Sequence, residues 1–322
     1  MIDVHLDAAC MARIRLALSP ASEALKLLAL AATGGHHPLF GDPGPVARAA
    51  LDHPDVALVA TVTQPNPSGY TPDLLTPKPV PGNDRSVLDA QLETMAATSP
   101  ERAALELTVG SYPDGRMPRN IRSAMEAGSF AKRAAAGLAM FWRAALADGW
   151  PAIRSSLESD LAYRADAMTR NGIGHMLSGL HQRLTFDGER LYVATKQVDS
   201  STLHGVELVL TPTVLGWPKF FVQVCDPANA IIAYPARGLI NRPAGRGQLA
   251  GVVGSSRALI LADLAVPRST AELSRRHGLA PATVSYHLGA MLRAGLVVRS
   301  RDGHHVHYRL SPHGQLMREN AG

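Results

Sequence analysis

Apolar positions recur along the first 240 residues with two different periods. Ile2–Leu6 and residues 13–18 carry short apolar runs that predict strands, and residues 21–32 predict an apolar helix. From about residue 86 to residue 180 the spacing is helical. Val87, Leu88, Leu92 and Met95 fall at helical steps, as do Phe130, Leu138, Phe141, Trp142 and Leu146. After Leu180 the pattern shifts toward strands, at 183–186, 190–195, 206–210, 220–225 and 231–234. Asp187-Gly188 separates the first two and predicts a hairpin turn. Residues 34–45 and 63–83 are rich in Pro, Gly and Asn and read as loops. These elements predict an α+β domain over residues 1–240, with 241–247 as a linker to a second domain over 247–322.

The second domain has the sharper pattern. Ser255 or Ser256 can cap a helix that carries Leu259, Ile260 and Leu264 and stops before Pro267. Ser269-Thr270-Ala271-Glu272 is a capping box, in which Ser and Glu each satisfy the other's backbone amide. The short helix it opens ends near Gly278, and Pro281 then suits the first position of another helix. Two helices joined by a Gly-containing turn form a helix-turn-helix. On the second helix Val284, Leu288, Met291 and Leu292 share one side and predict the packed face. Ala282, Thr283, Tyr286, Gly289, Ala290 and Arg293 lie opposite, with Ser285 and His287 on the flanks. That outer face is small, carries polar groups near its start and ends in a cation, so it suits close entry into a DNA major groove.

Gly295 closes this helix. Residues 296–300 and 305–310 read as two strands around Asp302-Gly303, a strong hairpin signal. Arg299, Arg301, His304 and His305 surround the tip and make it a basic wing. The DNA-contact candidates are thus Ser269, Thr270, Ala282, Thr283, Ser285, Tyr286, His287, Arg293, Arg299, Arg301, His304 and His305.

Charge follows the same division. The chain of 322 residues carries a net charge of +5, yet residues 246–322 hold ten Arg against four acids, while the other 245 residues hold 22 bases against 23 acids. A near-neutral body with a basic, apolar-patterned end is the footprint of a nucleic-acid-binding module. With 46% hydrophobic and 18% charged residues the chain can bury a core. No run approaches the ~18 apolar residues of a membrane span. The first residues lack a secretory pattern, and two Cys make no disulfide framework, so a cytoplasmic protein is expected.

The C-terminal motifs resemble the ArsR-type winged-helix regulators of bacteria. The likeness rests on Arg268-Ser269-Thr270-Ala271-Glu272-Leu273 for the positioning helix and on residues 280–288, APATVSYHL, for the recognition helix. Ala294-Gly295-Leu296-Val297 matches the exit, and Asp302-Gly303 with Val306-His307-Tyr308-Arg309-Leu310 the wing. One departure is Ala280, where that family usually places a capping Ser. The long N-terminal domain, with residues 72–77 (PDLLTP) and 234–238 (YPARG), looks like that of a group of actinobacterial regulators. The resemblance implies a winged helix-turn-helix homodimer that binds an inverted-repeat operator in double-stranded DNA and regulates transcription; a repressor is expected, though the sequence does not separate repression from activation.

The N-terminal domain is then expected to sense a small organic effector or to serve as a dimerisation scaffold. Phe141, Trp142, Trp150 and Trp217, with Phe220 and Phe221, are candidates to line an apolar pocket, or else ordinary core. No cofactor or metal is expected. Cys10 and Cys225 are far apart, and neighbouring strand residues such as His304 and His305 point to opposite faces. A His-based metal-responsive repressor is the alternative, with His36-His37 read as a surface pair. An enzyme with the winged helix as accessory is the other alternative. The chain contains none of the usual phosphate-loop, dinucleotide, HExxH or GxSxG motifs, so it reads as non-enzymatic.

Overall fold

A computed structural model describes residues 1–65, 70–81, 84–194, 199–237, 260, 263, 264, 266–277, 280–293, 295–302 and 305–311. The expected linker at 241–247 and the Ser255/Ser256 cap lie outside them. The chain divides into two compact units, Met1–Gly35 with Gly44–Ala236, and His36–Pro43 with Arg237–Gly322.

The N-terminal unit is α+β. Strand β1 (Ile2–Leu6) buries Ile2, Val4 and Leu6, the alternation that a half-covered strand requires. β2 is only Arg15–Leu16, shorter than its apolar run suggests. β3 (Leu184–Phe186) and β4 (Arg190–Val193) pair antiparallel across the Asp187-Gly188 turn, and β1 pairs antiparallel with β4. Asp187 Oδ1 accepts the amides of Glu189 (3.0 Å) and Arg190 (2.8 Å) there. On its other edge β1 pairs in parallel with β5 (Asp199–Leu203), giving the order β3-β4-β1-β5.

A second sheet holds β2, β6 (Val209–Thr213), β7 (Phe221–Gln223) and β8 (Ile231–Pro235) in the order β2-β6-β8-β7. The strand expected at 206–210 sits three residues later and runs through Pro212. β2 covers β6 only at Val209 and Leu210, so beyond them one side of β6 has no ladder to lose at a proline. Buried Glu23 ties this sheet to the helix that carries it. Its carboxylate accepts the Thr213 hydroxyl and the amides of Val214 (3.1 Å) and Leu215 (2.8 Å).

The helical stretch expected over 86–180 is present but interrupted by π-helical turns at Glu106–Ser111 and Trp142–Leu146. α1 (Ala8–Met11), α2 (Pro20–Ala32) and two helices that the pattern did not announce, α3 (Pro45–Ala49) and α4 (Pro54–Thr63), come ahead of it. α5 (Asp84–Ala96), α6 (Pro100–Leu105), α7 (Arg119–Glu126) and α8 (Phe130–Phe141) follow. α9 (Trp150–Ser178) is broken at Gly172, where φ is +80°. α8 crosses the start of α4 at Gly137, where a Cβ would lie 2.2 Å from the Asp55 carbonyl oxygen.

The C-terminal unit carries β9 (Arg268–Ser269), α10 (Thr270–His277), α11 (Pro281–Arg293), β10 (Val297–Asp302) and β11 (His305–Leu310). Its sheet order is β10-β11-β9. Ile260, Leu264, Leu273, Val284, Leu288, Met291, Leu296, Val297, Tyr308 and Leu310 make its core.

Candidate nucleic-acid interface

The capping box forms. Glu272 Oε2 accepts the Ser269 amide (2.7 Å) and hydroxyl (2.9 Å), and Ser269 Oγ accepts the Glu272 amide (3.3 Å). These bonds, the backbone one foremost, hold the Glu272 carboxyl below the usual range. Arg276 grips Asp263 with two nitrogens, Nε at 2.5 Å and Nη2 at 3.0 Å, while Arg268 Nε donates to the Asp263 carbonyl at 3.0 Å. Arg268 and Arg276 thus converge on Asp263, and the latter ties α10 to it.

α11 starts at Pro281, with the Val284 amide donating to Ala280 O at 3.1 Å. It ends in a Schellman turn: Gly295 N donates to Leu292 O (3.1 Å) and Leu296 N to Met291 O (3.0 Å), with Gly295 at φ +69°. Both ends being fixed, the helix presents a settled pair of faces. Val284, Leu288 and Met291 are buried, whereas Pro281, Ala282, Thr283, Ser285 and Tyr286 are exposed and His287 and Gly289 half-buried. For the described side chains the division follows the sequence pattern, except that Leu292, expected on the packed face, is only half-buried. Tyr286 is the largest side chain on the outer side, 43% exposed. With no acid among residues 281–293, that face can approach DNA without repelling phosphates.

β10 and β11 form the wing, with six paired positions from Val297↔Leu310 to Asp302↔His305. Tyr308 and Leu310 turn inward, and Arg299 and Arg309 are exposed. The wing is docked by Ser311, whose Oγ donates to Gly295 O (2.7 Å) and whose amide donates to Leu296 O (3.0 Å). Ser269 and Thr270, half-buried, stand at the start of α10. The backbones of Arg293, Arg301 and His305 lie in α11 or the wing, their side chains outside the described part, and His304 lies outside it altogether.

The aromatic candidates of the N-terminal unit separate. Phe141 is fully buried in the interior. Trp142 is half-buried and meets the buried Trp150 edge-on at 5.0 Å between ring centroids. Trp217 is half-buried on the loop after β6. Cys10 is buried, which pushes its thiol up to about 11, and Cys225 is exposed. Among the described residues no three His, Cys, Asp or Glu side chains come together to hold a metal ion, and no helix is long and apolar enough to cross a membrane.

One expectation fails. His37, read as surface, is 2% exposed: Nδ1 accepts the amides of Leu39 and Phe40, each at 3.2 Å, and the ring stacks on Phe40. Residues 36–43 form a small hairpin, not an open loop. It belongs to the C-terminal unit, where Leu39 packs on the core and His36 meets Tyr286 edge-on at 5.3 Å. Leu39 and His36 carry no local pattern that could have announced this contact, because their partners lie more than 200 positions away.

Residues 255–300 match a family described as a helix-turn-helix domain, and residues 138–239 match a family of unknown function, DUF5937. No curated protein and no solved structure matches the chain. The first match spans α10, α11 and the start of β10. The chain thus carries a helix-turn-helix DNA-binding domain and is a DNA-binding regulator of transcription.

Proposed function

We propose that the protein is an ArsR-type winged-helix repressor of bacterial type, acting in the cytoplasm as a homodimer on an inverted-repeat operator. α11 enters the major groove, with Thr283 and Tyr286 at base edges, and the β10–β11 wing lays Arg299 along the backbone. The observation that carries this reading is the outer face of α11: exposed, free of acids, small at Ala282 and Thr283, and fixed at both ends by a proline start and a Schellman stop. Two-fold symmetry of such a dimer sets half-sites about 34 Å apart, one helical turn, or a multiple of it. The protein is read as a binder without an enzymatic step.

In this reading the N-terminal unit takes a small organic effector, on either the paired rings of Trp142 and Trp150 or the ring of Trp217. By linkage such a ligand must bind the free and DNA-bound states with different affinity. A thermal-shift screen followed by a DNA-release assay tests this; a tight ligand that leaves DNA affinity unchanged removes it.

For the DNA reading, duplexes are selected from a random pool by the full chain, and two variants are compared on them. Tyr286→Ala is expected to cost about 1–3 kcal/mol on the selected sequence and little on other DNA. Arg299→Ala should weaken all duplexes alike and lower the slope of log K against log salt by about 0.9. If both variants keep wild-type affinity and discrimination, α11 and the wing are not the contact surface.

A further inference from the structure

The hairpin at residues 36–43 interrupts the N-terminal unit in sequence yet belongs to the C-terminal one. It supports its own shape. His37 N donates to Gly41 O at 2.7 Å and Gly41 N to His37 O at 2.8 Å, and Gly41 takes φ +80°, which a residue with a Cβ would resist. His37 fastens the inside of the turn through its Nδ1 and its stack on Phe40, 4.5 Å between centroids. Two side chains then reach the winged helix for different purposes. Leu39 packs against the apolar core, an anchor, and His36 lies edge-on to the Tyr286 ring, a cover.

We propose that this hairpin is an intramolecular cover of the reading helix, and that DNA entry requires it to leave Tyr286. The inference rests on the reading of α11 as the groove-entering helix. Charge separates a cover from an extra DNA-contact element. Residues 36–43 contain no Lys or Arg and one acid, Asp42, whose carboxylate lies 3.8 Å from His36 Nε2 and is 45% exposed. A segment kept beside Tyr286 in a major groove would bring that carboxylate toward phosphates, with no Lys or Arg in the same eight residues. It meets that surface at one residue, the Tyr286 ring, which stays 43% exposed, and it is held there by Leu39 packed on the apolar core.

Population arithmetic sets the expected effect. A cover docked in about nine molecules of ten lowers apparent DNA affinity about tenfold. In the full chain, Leu39→Ser removes the anchor, and a second variant replaces residues 36–43 by eight Gly and Ser residues, which leaves no apolar group stranded. Duplexes are selected from a random pool separately by wild type and by each variant, and affinities are measured on both sets. The proposal predicts affinity raised about tenfold in both variants, and more modestly in His36→Ala, which keeps the anchor. Unchanged or weaker binding by the linker variant, with its helical signal intact, overturns the cover while leaving α11 as the DNA reader. Failure of wild type and every variant to bind any duplex overturns both readings.

Hydrogen exchange on the wild-type chain supplies an independent check should the variants misfold. Saturating duplex should speed amide exchange across residues 36–43 as the hairpin lifts off. Slowed or unaltered exchange there contradicts the cover.

Discussion

Leu288→Ala probes the packed face of α11 without touching its outer one. Leu288 is fully buried among nine other buried core side chains. Truncating such a leucine costs about 2–5 kcal/mol, because the cavity closes only in part. A module of this size holds on the order of 5 kcal/mol in all, so one substitution removes about half. At about 4–8 °C per kcal/mol, a 3 kcal/mol loss lowers the module's Tm by about 12–24 °C. The chain is favourable for the measurement, since Trp142, Trp150 and Trp217 all lie in the N-terminal unit. Tryptophan fluorescence follows that unit, while far-UV circular dichroism adds the helices of the module. Below the lowered Tm the folded fraction is still high, so anisotropy should give a DNA affinity within about twofold of wild type. A stability loss under about 1 kcal/mol would refute the assigned faces. So would lost DNA binding at a temperature where the helices remain folded.

Two further outcomes concern the N-terminal unit. Burial, and secondarily the Glu106 carboxylate, raises the Asp73 pKa to about 7. The folded chain therefore keeps a proton that the unfolded chain, at about 3.9, has lost. Stability should decline as pH rises from about 4 to about 7, by up to about 1.4 kcal/mol per unit, and level off above. Denaturant titrations of Asp73→Asn against wild type should show the difference growing across that window; a difference independent of pH contradicts it. Gly137→Ala would press a methyl group onto the Asp55 carbonyl and force α8 from α4, costing about 1–3 kcal/mol in urea unfolding. Wild-type stability in that variant would show the helices can part freely.

The C-terminal module was legible because its signals are local. A capping box spans four residues, a proline start and a glycine stop bracket α11, and the apolar face repeats within it. Two turn residues announced the Asp187-Gly188 hairpin for the same reason. What escaped depends on distant partners. β5 reads Asp-Ser-Ser-Thr-Leu and has almost no apolar pattern; it is a strand because β1, nearly 200 positions earlier, offers a parallel edge. β6 sits three residues beyond its apolar run and takes in Pro212, which is tolerated where one neighbour has already ended. The covering hairpin was hidden by composition: Gly, His and Pro spell loop, and neither the burial of His37 nor the seat of Leu39 follows from its own neighbours in the sequence.

The central claim is that the outer face of α11 lies in the major groove, and a cleavage reagent carried on that face tests it. In a Cys225→Ser background, which removes the exposed thiol, Thr283→Cys is coupled to an iron chelate and bound to a selected duplex. Cys10 is buried and should not react. The account predicts strand cuts in two clusters about one helical turn, or a multiple of it, apart, at the major grooves of the two half-sites. Cuts spread evenly along the duplex, or none while the complex is intact, would contradict it.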